Sequence, residues 1–288
     1  MSSRAWVLGH PIDHSLSPSL HSAAYAVLDA DIVYDRRDTL PEDLPALFEL
    51  IERDGDCAGL SVTMPLKTAV IDFCTDISDV ARVTGAVNTV YWRDGLPYGH
   101  NTDVYGITAA LTHAGLKIQE GDRAAIVGGG ATAISALTAL SQLGYRRVDI
   151  FARSVHKLDP LLQVADQLGV QAYPRDLNEF PVGAFAYPCI ISTLPAHAAD
   201  EWAPQIQALH PAAILLDVAY NPWPSVLAER IQALGGTVVS GKEMLLYQGV
   251  EQVRLFTGIQ SRPGDSAPLP NERQVINAMC AALDLPAR

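Results

Sequence analysis

The residue of this sequence best suited to chemistry is Lys67, which ends the segment 59–67. The segment has the pattern of a short buried strand that ends in polar groups, followed by a proline turn that leads into a helix. A lysine at the end of a buried strand is uncommon unless it is paired or functional. Asp103, in the segment 100–103, is a possible partner. The sequence therefore raises the hypothesis that Lys67 and Asp103 form a catalytic pair.

Three more polar side chains stand beside apolar segments. Ser17 precedes Pro18 and an apolar helical run, which predicts a helix N-cap at Ser17. Ser15 is not needed for that cap, so the two serines together are candidates for contact with a polar ligand. Asn88 interrupts the predicted strand 85–92, and a buried amide is costly unless it is hydrogen-bonded. Asn88 therefore either ties a turn or presents its amide to a ligand.

A glycine-rich turn follows the predicted strand 123–127 and opens an alanine-rich helix that runs to about residue 143. A second strand, 148–151, arrives at the expected distance. This arrangement is typical of dinucleotide binding, because glycines let the backbone approach a pyrophosphate at a helix N-terminus. The candidate cofactor-binding residues of the turn are Gly128, Gly129, Gly130, Ala131 and Thr132.

The end of that second strand indicates which dinucleotide is bound. NAD enzymes usually place an acid there for the ribose 2′-hydroxyl. This chain has a cation and a hydroxyl group instead, which suit a 2′-phosphate, and its nearest acid, Asp149, falls in mid-strand. The sequence therefore predicts NADP, held by Ala152, Arg153, Ser154 and Lys157.

Later predicted strands also end in polar or turn residues, at the carboxyl ends where open α/β sheets bind ligands. Strand 187–192 leads into Thr193 and Leu194, and the short strand 237–240 ends at Gly241. These three residues join the cofactor candidates. Strand 214–218 leads to Tyr220.

Composition excludes several classes of protein. The 288 residues are 49% apolar with a formal net charge of −12, which supports two globular domains and argues against nucleic acid as a partner. The four cysteines are scattered with no CxxC pair, which is typical of buried thiols in the cytosol and predicts no metal site. No segment is long enough for a signal peptide or membrane span, so we expect a soluble, cytoplasmic protein.

The alternation of strands and helices predicts an α/β fold with a mostly parallel N-terminal sheet and a second, dinucleotide-binding Rossmann domain. The motifs in chain order also resemble the shikimate dehydrogenase family over nearly the whole chain. They are His14-Ser15-Leu16-Ser17-Pro18, Ser61-Val62-Thr63-Met64-Pro65-Leu66-Lys67, Gly85-Ala86-Val87-Asn88-Thr89, Asn101-Thr102-Asp103 and Met244-Leu245-Leu246-Tyr247-Gln248.

The resemblance implies a substrate-binding domain from residues 1–104 plus 242–288 and an NADP-binding domain from residues 105–241, with the active site in the cleft. It implies reversible NADPH-dependent reduction of 3-dehydroshikimate to shikimate in aromatic amino acid biosynthesis, by a monomer or homodimer. Ser15 and Ser17 would bind the substrate carboxylate, and Lys67 and Asp103 would be catalytic. The ring hydroxyls would bind Thr63, Asn88, Asp103 and Gln248, with Tyr220 near the substrate.

Three positions depart from the family's common pattern, and each has a consequence. Ser61 stands where relatives commonly have Asn, which removes an amide from the substrate site or its support. Ala131 replaces a glycine, which should tighten the turn. Ala152 and Ser154 stand where NADP-type relatives often have Asn and Thr, while Arg153 between them is retained.

Two rival hypotheses keep the same scaffold. An NAD-dependent quinate/shikimate dehydrogenase tends to carry Thr in place of Ser17 and an acid at the cofactor strand end, so Ser17 and Ala152 argue against it. A catalytically silent NADP-binding regulator should have lost Lys67 or Asp103, and both are present. A related two-domain folate dehydrogenase would have no role for the serine pair or Asn88.

Overall fold

Short apolar segments that end in glycine or a polar residue form the strands, and amphipathic or alanine-rich segments between them form the helices. A computed structural model describes residues 2–260, 262–263 and 267–288. The strands are β1 Ser3–Gly9, β2 Ile32–Asp38, β3 Cys57–Val62, β4 Asp76–Ile77, β5 Thr89–Arg93, β6 Leu96–His100, β7 Ala124–Val127, β8 Arg147–Ala152, β9 Gln171–Asp176, β10 Cys189–Ser192, β11 Ile214–Asp217 and β12 Thr237–Ser240. The helices are α1 Ser17–Leu28, α2 Leu44–Asp54, α3 Asp79–Thr84, α4 Asp103–His113, α5 Ala131–Leu143, α6 Asp159–Gln167, α7 Phe180–Gly183, α8 Val226–Ala233, α9 Gly241–Phe256 and α10 Glu272–Ala282.

The chain divides into two compact units. Unit 1 comprises Met1–Thr102 and Leu245–Arg288, and unit 2 is the continuous stretch Asp103–Met244. The chain passes between the units directly at the first residue of α4 and again inside α9.

Unit 1 contains a mixed sheet in the order β2-β1-β3-β5-β6-β4. The pairs β1–β2 and β1–β3 are parallel, as the sequence pattern predicts, and β4–β6 is also parallel. Strands β5 and β6 instead form an antiparallel hairpin, and β5 also runs antiparallel to β3. The sequence prediction missed β6, and with it this hairpin.

The hydrophobic core of unit 1 is completed by the C-terminal helices. Leu20 of α1, Val250 of α9 and Met279 of α10 are buried in one cluster. The helices meet closely at Gly249, where an added Cβ would lie 2.5 Å from Leu20 Cδ2 and 3.4 Å from Met279 Cε. A glycine on α9 is therefore what allows α1 to pack against it.

Unit 2 contains a sheet in the order β12-β11-β10-β7-β8-β9, in which every strand pair is parallel. Strands β7, β10 and β11 are fully buried four-residue segments, as expected for a parallel sheet covered on both faces. The α/β fold that the sequence predicts is confirmed. The edge strand β9 was not predicted, because its residues, all exposed or half-buried, contain no apolar run.

Helix α9 begins at Gly241, directly after β12. Asn271 is at the N-cap of α10, but its side chain makes no capping hydrogen bond, and its backbone is left-handed with φ 52°. Among the residues that the structure describes, no helix combines the length and apolar character that crossing a bilayer requires.

Candidate active site

Asn88 lies at the centre of a polar cluster in unit 1. It is 3% exposed. Because β5 begins only at Thr89, the residue after Asn88, the predicted strand 85–92 is wrong at its start. Its backbone N–H donates to His100 O (3.1 Å), and its carbonyl accepts from Val62 N–H (2.7 Å). These bonds fix the main chain of Asn88 between the ends of β3 and β6.

The side chain of Asn88 connects three chain segments. Its Oδ1 accepts from the backbone N–H of Thr102 (2.8 Å) and from Thr89 Oγ1 (2.8 Å). Its Nδ2 donates to Gln248 Oε1 (3.4 Å), which also lies 3.2 Å from Thr102 Oγ1. Asn88 therefore ties the start of β5 to residue 102 and to α9, and the amide is hydrogen-bonded as its burial requires.

Lys67 is half-buried in the turn between β3 and a 3-10 helix at Ala69–Phe73, so the helix predicted after the lysine is short. The Lys67 carbonyl accepts from Val87 N–H (2.8 Å), which anchors the lysine's main chain next to Asn88. Asp103 is buried and is the first residue of α4, where the helix dipole favours a carboxylate. Asp103 follows Thr102 in the chain but belongs to unit 2, and its pairing with Lys67 stays a prediction.

Thr63 follows the last residue of β3 and is half-buried. Its backbone N–H donates to Leu8 O (2.9 Å), at the end of the neighbouring strand β1. An added Cβ on Gly9 would lie 2.4 Å from Thr63 Cγ2. Glycine at position 9 therefore leaves the room that the Thr63 side chain occupies.

The predicted cap of α1 is wrong. Leu16 holds the N-cap position without a side-chain hydrogen bond, and Ser17 is the first residue of the helix. The capping function falls to Ser15, whose Oγ accepts from Ser17 N–H (3.3 Å). Arg36 of β2 holds the same turn, because its Nε and Nη2 donate to Ser15 O at 3.0 and 2.6 Å.

A second layer of buried polar side chains supports these groups, and sequence reasoning missed most of it. Tyr34 of β2 donates to Ser61 Oγ (2.6 Å), and Ser61 donates to Gln252 Oε1 (2.9 Å). Burial raises the pKa of Tyr34, while hydrogen bonds with the Ser61 and Ser17 side chains act in the opposite direction. Ser61 thus belongs to the support of the cluster, and Gln252 supplies an amide beside it.

His21 completes this layer from α1. The ring lies flat on Tyr34, with centroids 4.0 Å apart and an interplanar angle of 12°. Its Nε2 is 3.2 Å from Gln252 Oε1, and its Nδ1 is 3.1 Å from Tyr25 Oη. Full burial lowers the pKa of His21 from 6.5 to about 3, so the ring is neutral at physiological pH.

The predicted glycine turn of unit 2 lies at the carboxyl end of the sheet. Gly128 has φ +117°, and an added Cβ would lie 2.4 Å from Thr193 Oγ1, so only glycine fits there. Gly130 is the N-cap of α5 and makes no side-chain cap; its carbonyl accepts from Ala133 N–H (2.9 Å), and the N–H groups of Ala131 and Thr132 lie ahead of this first bond. Gly129, Gly130 and Ala131 are exposed. This turn fits the pyrophosphate of a dinucleotide.

The predicted 2′-phosphate residues follow β8. Ala152 is its buried last residue, Arg153 and Lys157 are exposed, and Ser154 is half-buried. Two exposed cations and a hydroxyl at a strand end fit a phosphate.

Asp149, the nearest acid in sequence, has a structural role. It lies within β8, is fully buried, and pairs with Arg123 (2.5 Å) and Arg175 (3.1 Å). The prediction that it falls in mid-strand is therefore confirmed, and both carboxylate oxygens are engaged away from the strand end.

The later strands of unit 2 end beside the glycine turn. Thr193 N–H donates to Val127 O (2.8 Å), the last residue of β7, and Leu194 is the next residue. Gly241 begins α9, and an added Cβ would lie 2.1 Å from Val218 O, so the residue must be glycine. Tyr220 is partly buried three residues after β11, and burial raises the pKa of its phenol.

Asp217, the last residue of β11, was not among the sequence candidates. Its carboxylate accepts from Ser225 Oγ (2.6 Å) and from Ala219 N–H (3.3 Å). Burial raises the pKa of Asp217, and these hydrogen bonds oppose the rise. The bonds fix both ends of the loop that carries Tyr220.

Within the described residues, no group of three or more His, Cys, Asp or Glu side chains is arranged to hold a metal ion. The parallel sheet and glycine turn of unit 2 define a dinucleotide-binding protein of the two-unit α/β class. Residues 7–90 match the family model described as the shikimate dehydrogenase substrate binding domain.

Complete relatives extend this match. The chain is 34% identical over 257 residues to a shikimate dehydrogenase (NADP(+)) of Methanothermobacter thermautotrophicus, covering 88% of this chain and 90% of the relative. The crystal structure of a shikimate 5-dehydrogenase from Mycobacterium fortuitum superposes with a TM-score of 0.82 at 36% identity, covering 98% of both chains. The structure of quinate dehydrogenase from Corynebacterium glutamicum in complex with NAD superposes with a TM-score of 0.84 at 25% identity, covering 97% of this chain and 99% of that chain. The chain belongs to the shikimate dehydrogenase family.

Proposed function

We propose that this protein is an NADP-dependent shikimate dehydrogenase, which reversibly reduces 3-dehydroshikimate to shikimate in the biosynthesis of chorismate and the aromatic amino acids. Relatives that span most of the chain carry this name. The observation that carries the proposal is the cluster around Asn88, which joins the start of β5, residue 102 and Gln248 of α9 through direct hydrogen bonds. A polyhydroxylated ring needs several neutral donors and acceptors in fixed positions, and this cluster provides them.

The substrate residues have distinct proposed tasks. Ser15 and Ser17 bind the carboxylate, supported by the turn that Arg36 holds on the Ser15 carbonyl. The ring hydroxyls contact the remaining polar candidates, with Tyr220 near the substrate. These candidates are Thr63, Asn88, Asp103 and Gln248.

Lys67 is the proposed acid of the reduction. Reduction of the carbonyl leaves negative charge on its oxygen. A nearby ammonium group stabilises this charge and supplies a proton to the oxygen. In shikimate oxidation the neutral amine takes the hydroxyl proton. Asp103 is the proposed partner that orients the lysine. The anchoring of the Lys67 and Thr102 main chains beside Val87 and Asn88 supports this assignment.

The residues of unit 2 fit NADP by the same physical arguments. Gly128–Thr132 would hold the pyrophosphate, Arg153, Ser154 and Lys157 the 2′-phosphate, and Ala152, Thr193, Leu194 and Gly241 the rest of the dinucleotide. When bound, the cofactor supplies or accepts the hydride. We further propose that the enzyme is cytoplasmic, acts on small molecules and is a monomer or homodimer.

A steady-state assay tests the proposed reaction. We expect shikimate oxidation with NADP to exceed oxidation with NAD, and shikimate to be preferred to quinate. NAD-dependent quinate oxidation as the dominant activity would instead establish the rival dehydrogenase, and no oxidation of either substrate would favour the silent regulator.

A lysine variant tests the catalytic assignment. Lys67→Ala should lower kcat by about 10³-fold or more, since it removes both the proton donor and the charge. Its affinity for NADPH, measured by fluorescence titration, should stay within about threefold of the wild type. The exposed Lys117 provides the control, Lys117→Ala, which should retain full turnover. Near-normal turnover in Lys67→Ala would reject the assignment.

A further inference from the structure

Gln252 is a buried carboxamide one helical turn beyond Gln248 on α9, and the proposed reaction gives it no task. It is 1% exposed and lies on the same face of the helix as Gln248, because residues four apart are neighbours on an α-helix. Its Nε2 donates to Asn88 O (3.2 Å) and to Thr89 Oγ1 (2.9 Å). Its Oε1 accepts from Ser61 Oγ (2.9 Å) and faces His21 Nε2 (3.2 Å).

These partners permit only one arrangement of hydrogen atoms. The backbone carbonyl of Asn88 can only accept, so the Nε2 end of Gln252 must face it. The Oε1 end must then receive hydrogen bonds from both of its partners. Ser61 therefore donates to Gln252 and accepts from Tyr34, and His21 carries its hydrogen on Nε2. All four hydrogen-bonding positions of the carboxamide are used.

The arrangement leads directly to the side chain of Asn88. Thr89 Oγ1 accepts from Gln252, so its own hydrogen is available to Asn88 Oδ1, 2.8 Å away. Oδ1 also accepts from Thr102 N–H. With Oδ1 held by these donors, the Nδ2 end of Asn88 is turned toward Gln248.

We propose that Gln252 is a positioning residue for substrate binding: its carboxamide fixes both the main chain of Asn88 and, through Thr89, the orientation of the Asn88 amide. The inference rests on the proposed function, in which Asn88 binds a hydroxyl group of the substrate. Gln252 acts through Asn88 and Thr89, so its loss weakens binding of the substrate more than it slows the reaction. It has no effect on the cofactor.

The test compares two buried glutamines. Gln260 is 2% exposed in the same unit, and its Nε2 donates to Glu251 Oε1 (2.8 Å), so Gln260→Met removes a comparable buried amide that has no bond to Asn88 or Thr89. Both Gln252→Met and Gln260→Met should lower the melting temperature. Only Gln252→Met should raise the KM for shikimate, by about tenfold, with kcat and the KM for NADP changed by less than about threefold.

Thr89→Val gives an independent reading, because it retains Gln252 and Asn88 but removes the hydroxyl between them. It should also raise the KM for shikimate, and the double variant Gln252→Met/Thr89→Val should raise it by less than the product of the two single effects. Equal shikimate KM in Gln252→Met and Gln260→Met would overturn the inference. If Gln252→Met does not fold, an unchanged KM in folded Thr89→Val would do the same. A wild-type protein that does not oxidise shikimate with NADP would refute the proposed function itself.

Discussion

The buried ring of His21 makes the stability of unit 1 dependent on pH. The side chain is fully buried, stacked on Tyr34, and hydrogen-bonded at both nitrogens. Burial lowers the pKa of His21 from 6.5 to about 3, so the folded protein keeps the ring neutral where the unfolded chain already binds a proton. The substitution His21→Gln removes this titration and keeps an N–H group that can donate to Gln252.

The sign and size of the effect follow from the two pKa values. A lowered folded-state pKa gives stability that is complete above pH 6.5 and is lost as the pH falls toward 3. Each pH unit in that interval costs about 1.4 kcal/mol for one group. Acidification from pH 7.5 to pH 5 therefore removes about 2 kcal/mol of unfolding free energy through His21 alone.

The measurement is urea denaturation of the wild type and His21→Gln across that pH range. We expect the variant to be less stable at neutral pH but to lose about 2 kcal/mol less on acidification. Part of the pH dependence of the unfolding free energy should persist in the variant, because burial also lowers the pKa of His100, to about 4. Identical slopes in the two proteins would refute the reasoning.

Two further substitutions test unit 2. Arg153→Asp should lower kcat/KM for NADPH by about 100-fold and much less for NADH, because a carboxylate repels a 2′-phosphate and accepts from a 2′-hydroxyl; equal losses with both cofactors would contradict the assigned role. Gly241→Ala should cost about 2 kcal/mol of unfolding free energy, since its Cβ would lie 2.1 Å from Val218 O. Gly183→Ala, where an added Cβ meets nothing within 4 Å, is the matched control, and chemical denaturation of both variants should separate them.

The dinucleotide-binding part could be predicted from sequence because its requirements are local. A buried strand, a turn that only glycine can form at Gly128, and a helix start all lie within one short segment. The hairpin of β5 and β6 could also have been predicted from the sequence. Asp94 and Gly95 connect its strands with φ 52° and 77°, and Asp-Gly between two strands is a strong hairpin signal.

The polar support of Asn88 could not be predicted from spacing alone. Gln252 reaches Ser61 across 191 residues of sequence and Asn88 across 164, and such pairings are set by tertiary packing. The available signal was indirect, namely a second glutamine four residues after Gln248 in a helix with an apolar face. Ser17 was misassigned as a cap for a related reason, since its hydroxyl is used by Tyr34 of β2.

The division of the chain has a consequence for how the protein forms during synthesis. Unit 2 is continuous, so every strand of its sheet is synthesised before α10. Unit 1 is discontinuous, and the core that contains Leu20 also needs Val250 and Met279 from its second segment. The N-terminal segment therefore waits with part of its apolar surface uncovered until α9 and α10 have been made. Deletion of α10 should be tolerated poorly, because its loss would leave unit 1 without a completed core.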